Sequence, residues 1–94
     1  MAYKFEWDPA KAKANKDKHQ VTFEQAKTVF DDQRALFIFD ERNSDYEERF
    51  NIIGFDIGSN QLKVCFCYRN GDEIIHIISA RMATKKEQDL YWRQ

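Results

Sequence analysis

The sequence predicts an α+β fold of two layers. An antiparallel sheet of about four strands, which an N-terminal strand could join, carries two N-terminal helices and one C-terminal helix. Three observations lead there. Apolar and polar residues alternate in several short runs from residue 35 onward, the period of half-buried strands. Two capping-box pairs, Thr22 with Gln25 and Thr84 with Glu87, each open a short amphipathic stretch. Glycine and proline are scarce, three and one, and no repeat or linker interrupts the chain, so residues 1–94 read as one domain.

In order, Tyr3, Phe5 and Trp7 alternate with Lys4, Glu6 and Asp8 and predict a strand. Asp8 then reads as an N-cap with Pro9 at the first helical position. Residues 10–18 have high helix propensity but only alanines as apolar content, which predicts a shallowly packed, lysine-rich helix. The Thr22 box opens a second helix with Phe23, Ala26, Val29 and Phe30 on one face, ended by Asp31-Asp32-Gln33. Strands follow at 35–39, 49–55, 62–68 and 74–80, with turns at Gly58-Ser59-Asn60 and at Asn70-Gly71, the latter a two-residue hairpin signal. The run 74–80 is apolar on both faces and predicts an interior strand. The Thr84 box opens the last helix, with Leu90 and Tyr91 inward. All three helices are expected on one face of the sheet.

With 43% hydrophobic and 15% aromatic residues, the chain can build a core despite 33% charged residues. No apolar run approaches a membrane span, and the first residues lack the apolar region of a signal peptide, so a cytoplasmic protein without membrane association is expected. Fifteen basic against sixteen acidic residues leave a net charge of −1; only a local patch could attract a polyanion. Cys65 and Cys67, two apart on one strand face, are expected to be buried reduced thiols.

Zinc motifs, phosphate loops and nucleophile elbows are all missing, so no metal or cofactor is expected. What remains are basic and polar side chains near strand and helix ends. His19 either transfers protons or caps the first helix, and Lys16 and Lys18 beside it form either a binding patch or a solvated face. Glu48 and Arg49 point to opposite sides of their strand and could act as base and phosphate clamp, or as an edge ion pair. Arg81 leaves the most apolar strand, and so either clamps an anion or anchors Glu87 or Asp89. Arg69 is equally open, and His76 reads first as a satisfied sheet histidine.

Glu6-Trp7-Asp8-Pro9-Ala10-Lys11, Asn15, Lys18-His19 and Val21-Thr22-Phe23-Glu24-Gln25-Ala26 resemble the opening of the BrnT toxin family. Glu47-Glu48-Arg49 with Gly54 looks like that family's E-x-R segment, and Ile77-Ile78-Ser79-Ala80-Arg81 with Ala83, Glu87 and Tyr91 resembles its close. Asn43 and His76 depart from it, where members often carry His and Arg. The resemblance implies a RelE-like ribonuclease toxin of a type II toxin–antitoxin pair, cleaving RNA without a metal and neutralised by a DNA-binding antitoxin. On that reading His19 or Glu48 transfers protons, and Arg49, Arg69 and Arg81 hold the phosphate. Lys16 and Lys18 contact RNA, and Trp7 or Tyr68 stacks a base or belongs to the core. A toxin fold that has lost catalysis and serves as an interaction module is the alternative.

Overall fold

The computed structural model describes residues 3–94. Strand β1 (Lys4–Glu6) leads into helices α1 (Pro9–His19) and α2 (Phe23–Thr28) and a 3-10 turn, Val29–Asp31. Strand β2 (Leu36–Phe39) and a second 3-10 turn, Glu41–Asn43, precede β3 (Arg49–Phe55), β4 (Gln61–Arg69), β5 (Ile74–Met82) and helix α3 (Lys85–Trp92). The five strands form one sheet in the order β1-β5-β4-β3-β2. The last four make the expected antiparallel meander, and β1 joins at the β5 edge in parallel.

Local signals act where they were expected. Asp8 accepts the Ala10 N–H at 2.8 Å, and both capping boxes close reciprocally at Thr22/Gln25 and Thr84/Glu87. Helix α1 buries only Asn15 and ends on Gln20 in the left-handed region, φ 60°. That one buried polar residue has a purpose. Among the described residues, the outer edge of β5 has no neighbouring strand beyond the short β1, and its unpaired amides need partners. Asn15 supplies them: its Oδ1 accepts the Ala80 N–H at 3.0 Å and its Nδ2 donates to the Ala80 carbonyl at 2.8 Å. Its Nδ2 also donates to the Val21 carbonyl at 3.0 Å, tying the α1–α2 connection to the sheet.

The core lies between α1/α2 and one sheet face. Val21, Phe23, Ala26 and Val29 pack on Ile52, Val64, Phe66, Ile75, Ile77 and Ala80, all essentially buried. A smaller cluster of Ile53, Ala83 and Tyr91, with Leu36 and Phe55 against it, lies on the other face. Helix α3 therefore does not share the layer of α1 and α2. Ile52 and Ile53 are neighbours on β3 and must point to opposite faces, and α3 covers the second. Its inward residue is Tyr91; Leu90 is 37% exposed, contrary to expectation. The β4–β5 connection is also longer than a two-residue hairpin. Four residues join the strands, and Asn70, Gly71 and Asp72 all take positive φ.

Two details shape the rest of the molecule. Gly54 lies against Asp32, Ala35 and Val29, where an added Cβ would meet atoms at 3.0–3.1 Å. In β5 a bulge breaks the alternation: Cys65 pairs with Ser79 but Phe66 with Ile77, leaving Ile78 without a partner. Strict alternation would send His76 and Arg81 to opposite faces. The extra residue returns both to the face away from α1 and α2.

Candidate active site

That face carries apolar residues at one end, under α3, and polar ones at the other. Following the register, Arg49 on β3 is opposite Cys67 on β4, which is opposite His76 on β5, which is opposite Glu6 on β1. Side chains two residues apart share a face, so Glu47, Asn51, Cys65 and Arg69 belong with them. The result is an open polar half-sheet.

Its members interact closely. The Glu47 carboxylate lies between two guanidinium groups, 3.3 Å from Arg69 Nη2 and 3.8 Å from Arg49 Nε. Arg69 also approaches Glu6 at 4.0 Å. Glu6 in turn holds His76 Nδ1 through a hydrogen bond of 2.6 Å. Beneath them Cys65 and Cys67 are free, buried thiols, as expected. Burial pushes both thiols above the ordinary range, so neither presents a thiolate near neutral pH. Arg69 is held further toward its charged form by the Cys67 sulfur, Glu47 and Glu6. Arg49 Nε and Asn51 Oδ1 are buried without a hydrogen-bond partner, an available donor and acceptor on adjacent positions of one strand face. Beside Arg49, a hollow is lined by Arg42, Asn43, Asp45, Tyr46 and Glu47; Asn43 in it bonds to Asp40 at 3.0 Å.

The other residues singled out from the sequence stand elsewhere. Arg81 shares the face but pairs across β4 with Lys63, four residues along that strand from Cys67 and so about 13 Å away. Its guanidinium forms a bidentate pair with Glu87 of α3, at 2.8 and 2.9 Å, and also donates to the Met82 carbonyl. Of its two readings, the structure favours the anchor. Burial alone would raise the Glu87 pKa, but the Arg81 and Thr84 hydrogen bonds outweigh it and hold the carboxyl below its usual range. Glu48 points away from Arg49, as alternation requires, and lines a hollow with Glu47, Phe50, Tyr68 and Asp72. Tyr68 packs edge-on against Phe50 and Phe66, and Trp7 against Phe23 at 5.9 Å, so both rings belong to the helix-side core. His19 ends α1, and Lys16 and Lys18 are exposed on it; that helix packs with the opposite face. His19 and Arg69 therefore belong to opposite sides of the sheet.

Sequence reasoning passed over Glu6, Glu47 and His76 as a unit. Three separate segments, 70 residues apart at the extremes, contribute to it. The available signal was weak: Glu6 alternates within the first expected strand, but Glu47 precedes the one at 49–55 and His76 sits in a mostly apolar run. Among the described residues, no group of three His, Cys, Asp or Glu side chains is placed to hold a metal ion, and no helix is long and apolar enough to cross a membrane.

The family described as "Ribonuclease toxin, BrnT, of type II toxin-antitoxin system" matches residues 7–87. The chain belongs to the BrnT family. The match begins just after β1 and ends in the first turn of α3, and so includes Arg49, Arg69, His76 and Arg81 but not Glu6. A crystal structure of the Brucella abortus ribonuclease toxin, BrnT, has the same α+β fold. It aligns with a TM-score of 0.67 at 24% identity, covering 89% of this chain and all of that one. Among curated proteins none matches.

Proposed function

We propose that this BrnT-family chain cleaves single-stranded RNA on the open half-sheet, without a metal ion, with Arg49 and Arg69 holding the scissile phosphate. The observation that carries the reading is the convergence of these two guanidinium groups around one carboxylate at the end of the face that α3 leaves open. Arginine's planar fork suits phosphate oxygens, and two such groups can stabilise the charge that builds as the ribose 2′-OH attacks phosphorus. The attack forms the O2′–P bond and breaks the P–O5′ bond, giving a 2′,3′-cyclic phosphate and a free 5′-OH. Removing one well-placed charge stabiliser from such a site costs about 2.7–4 kcal/mol. Arg81 supports α3 rather than the phosphate.

Without RNA, Glu47 and Glu6 occupy Arg69, in an exposed arrangement worth less than about 1 kcal/mol, so an entering phosphate displaces them at little cost. The neutralising partner is an antitoxin that covers the same face and also binds DNA, and the reaction takes place in the cytoplasm.

Incubation of the purified protein with single-stranded RNA in EDTA tests this. Cyclic-phosphate ends are expected from the wild type, with a loss of about 100-fold or more in Arg69→Ala and Arg49→Ala. RNA bound but uncut by the wild type would favour an interaction module, and cleavage that EDTA abolishes would end the metal-free mechanism.

A further inference from the structure

We propose that His76, oriented by Glu6, is the proton-transfer group of this face, an inference that rests on the ribonuclease reading above. Three features point to it. His76 is on β5, one strand pairing from Cys67 and two from Arg49, so about 10 Å of sheet separates the backbones of His76 and Arg49. A phosphate held between Arg49 and Arg69 places its ribose over the intervening β4, within reach of the imidazole. The ring's Nδ1 is committed to Glu6 at 2.6 Å, which fixes the tautomer and leaves Nε2 for another partner. The side chain is 17% exposed, buried enough to be held and open enough for Nε2 to be reached.

The bland alternative is a surface histidine satisfied by a neighbouring glutamate. Its surroundings argue otherwise. The charged and titratable groups that face it are Glu6 on β1, Arg69 and the Cys67 thiol on β4, and Arg49 with Glu47 from the β3 side. Arg69 is held in its charged form, and the Cys67 thiol is buried and neutral. Glu47 is engaged by both guanidinium groups. That leaves the imidazole, with Nδ1 held by Glu6 and Nε2 uncommitted, as the group on this face placed to transfer a proton. Of the proton-transfer residues expected from the sequence, His19 belongs to the opposite layer and Glu48 to the opposite side of β3.

In the step so assigned, the neutral ring takes the 2′-OH proton at Nε2 as O2′ bonds to phosphorus. The departing 5′ oxygen takes a proton from water, and the imidazolium returns its own to the hydroxide left behind. Glu6 touches no reacting atom; it is a positioning residue that holds the ring and balances the imidazolium.

Single-turnover cleavage of single-stranded RNA in EDTA tests the assignment, with affinity for a 2′-deoxy oligonucleotide of the same sequence measured alongside. His76→Ala is expected to cleave about 100-fold or more slowly, to bind the deoxy strand within about twofold of wild type, and to regain at least about tenfold when free imidazole is added. His76→Gln, which keeps a donor for Glu6, is expected to fold, bind and remain inactive. Glu6→Gln is expected to slow cleavage about tenfold without imidazole rescue, and to change the ¹⁵N signature of the His76 tautomer. If His76→Ala and His76→Gln cleave like wild type while Arg69→Ala is dead, the proposal falls and the ribonuclease reading stands. Loss of cleavage that imidazole does not restore, accompanied by weaker binding or a lower Tm, shows a structural role and also overturns it. A wild type that cuts no RNA removes both.

Discussion

Arg69 and Arg81 share a sheet face and both face carboxylates, yet the structure gives them different work. Arg81 is one-third exposed, locked in a bidentate pair with Glu87, and joins β5 to the N-terminus of α3. Arg69 reaches its carboxylates by single contacts at 3.3 and 4.0 Å and is nearly half exposed. Charge-assisted hydrogen bonds of the first kind are worth about 1.5–3 kcal/mol when buried, and less at this exposure. Arg81→Ala is therefore expected to lower Tm by several degrees while RNA cleavage stays within about threefold of wild type. Arg69→Ala is expected to do the reverse. Thermal denaturation and cleavage assays on the same two preparations separate the roles, and an Arg81→Ala protein that is stable but inactive would return Arg81 to the phosphate site. The sequence left both readings of Arg81 open, because the choice depends on the direction in which Glu87 arrives, and α3's position is a tertiary fact.

At the scale of elements, what was legible was local. Capping boxes, the Asp8-Pro9 helix start and the alternation of β3 and β4 depend on residues within a few positions of one another, and each appears in the structure. What was hidden depends on partners distant in sequence. The parallel pairing of β1 with β5 joins Glu6 to His76, and the bulge at Ile78 arises from β4–β5 register. Without that bulge His76 and Arg81 cannot share a face. The placement of α3 on the second face was equally hidden, since Leu90 and Tyr91 look alike to a helical period and only Tyr91 reaches a partner, Asp32, at 2.9 Å. The open β5 edge gives the clearest test at this scale. Asn15→Ala strips partners from the buried N–H and carbonyl of Ala80, each costing about 1–3 kcal/mol. A loss of about 3 kcal/mol or more by urea denaturation is expected; a loss under about 1 kcal/mol would mean that the edge is satisfied without the amide.

For the molecule as a whole, three carboxylates set the response to acid. Burial tends to raise the pKa of Asp32, Asp56 and Glu87, but hydrogen bonds outweigh it and hold all three below their ordinary values. The donors are Phe55, Arg34 and Tyr91 for Asp32, Asn60 and Gln25 for Asp56, and Arg81 and Thr84 for Glu87. A depressed folded pKa means stabilisation that is complete above the unfolded value and lost as pH falls through the folded one. Tm is accordingly expected to be near its maximum around neutral pH and to drop steeply below about pH 4. A Tm unchanged from pH 6 to pH 3 would contradict the part these three groups play.

Charge is also partitioned across the sheet, with lysines exposed on α1 and arginines gathered on the far face. Net charge, at −1, conceals this division, and a family resemblance does not say which side meets RNA. Backbone amide shifts recorded while an uncleavable 2′-deoxy oligonucleotide is titrated into the protein answer that directly. The account predicts perturbations centred on Glu6, Arg49, Cys67, Arg69 and His76, with Lys16, Lys18 and His19 nearly still. Shifts concentrated on α1, with the open half-sheet silent, would contradict it.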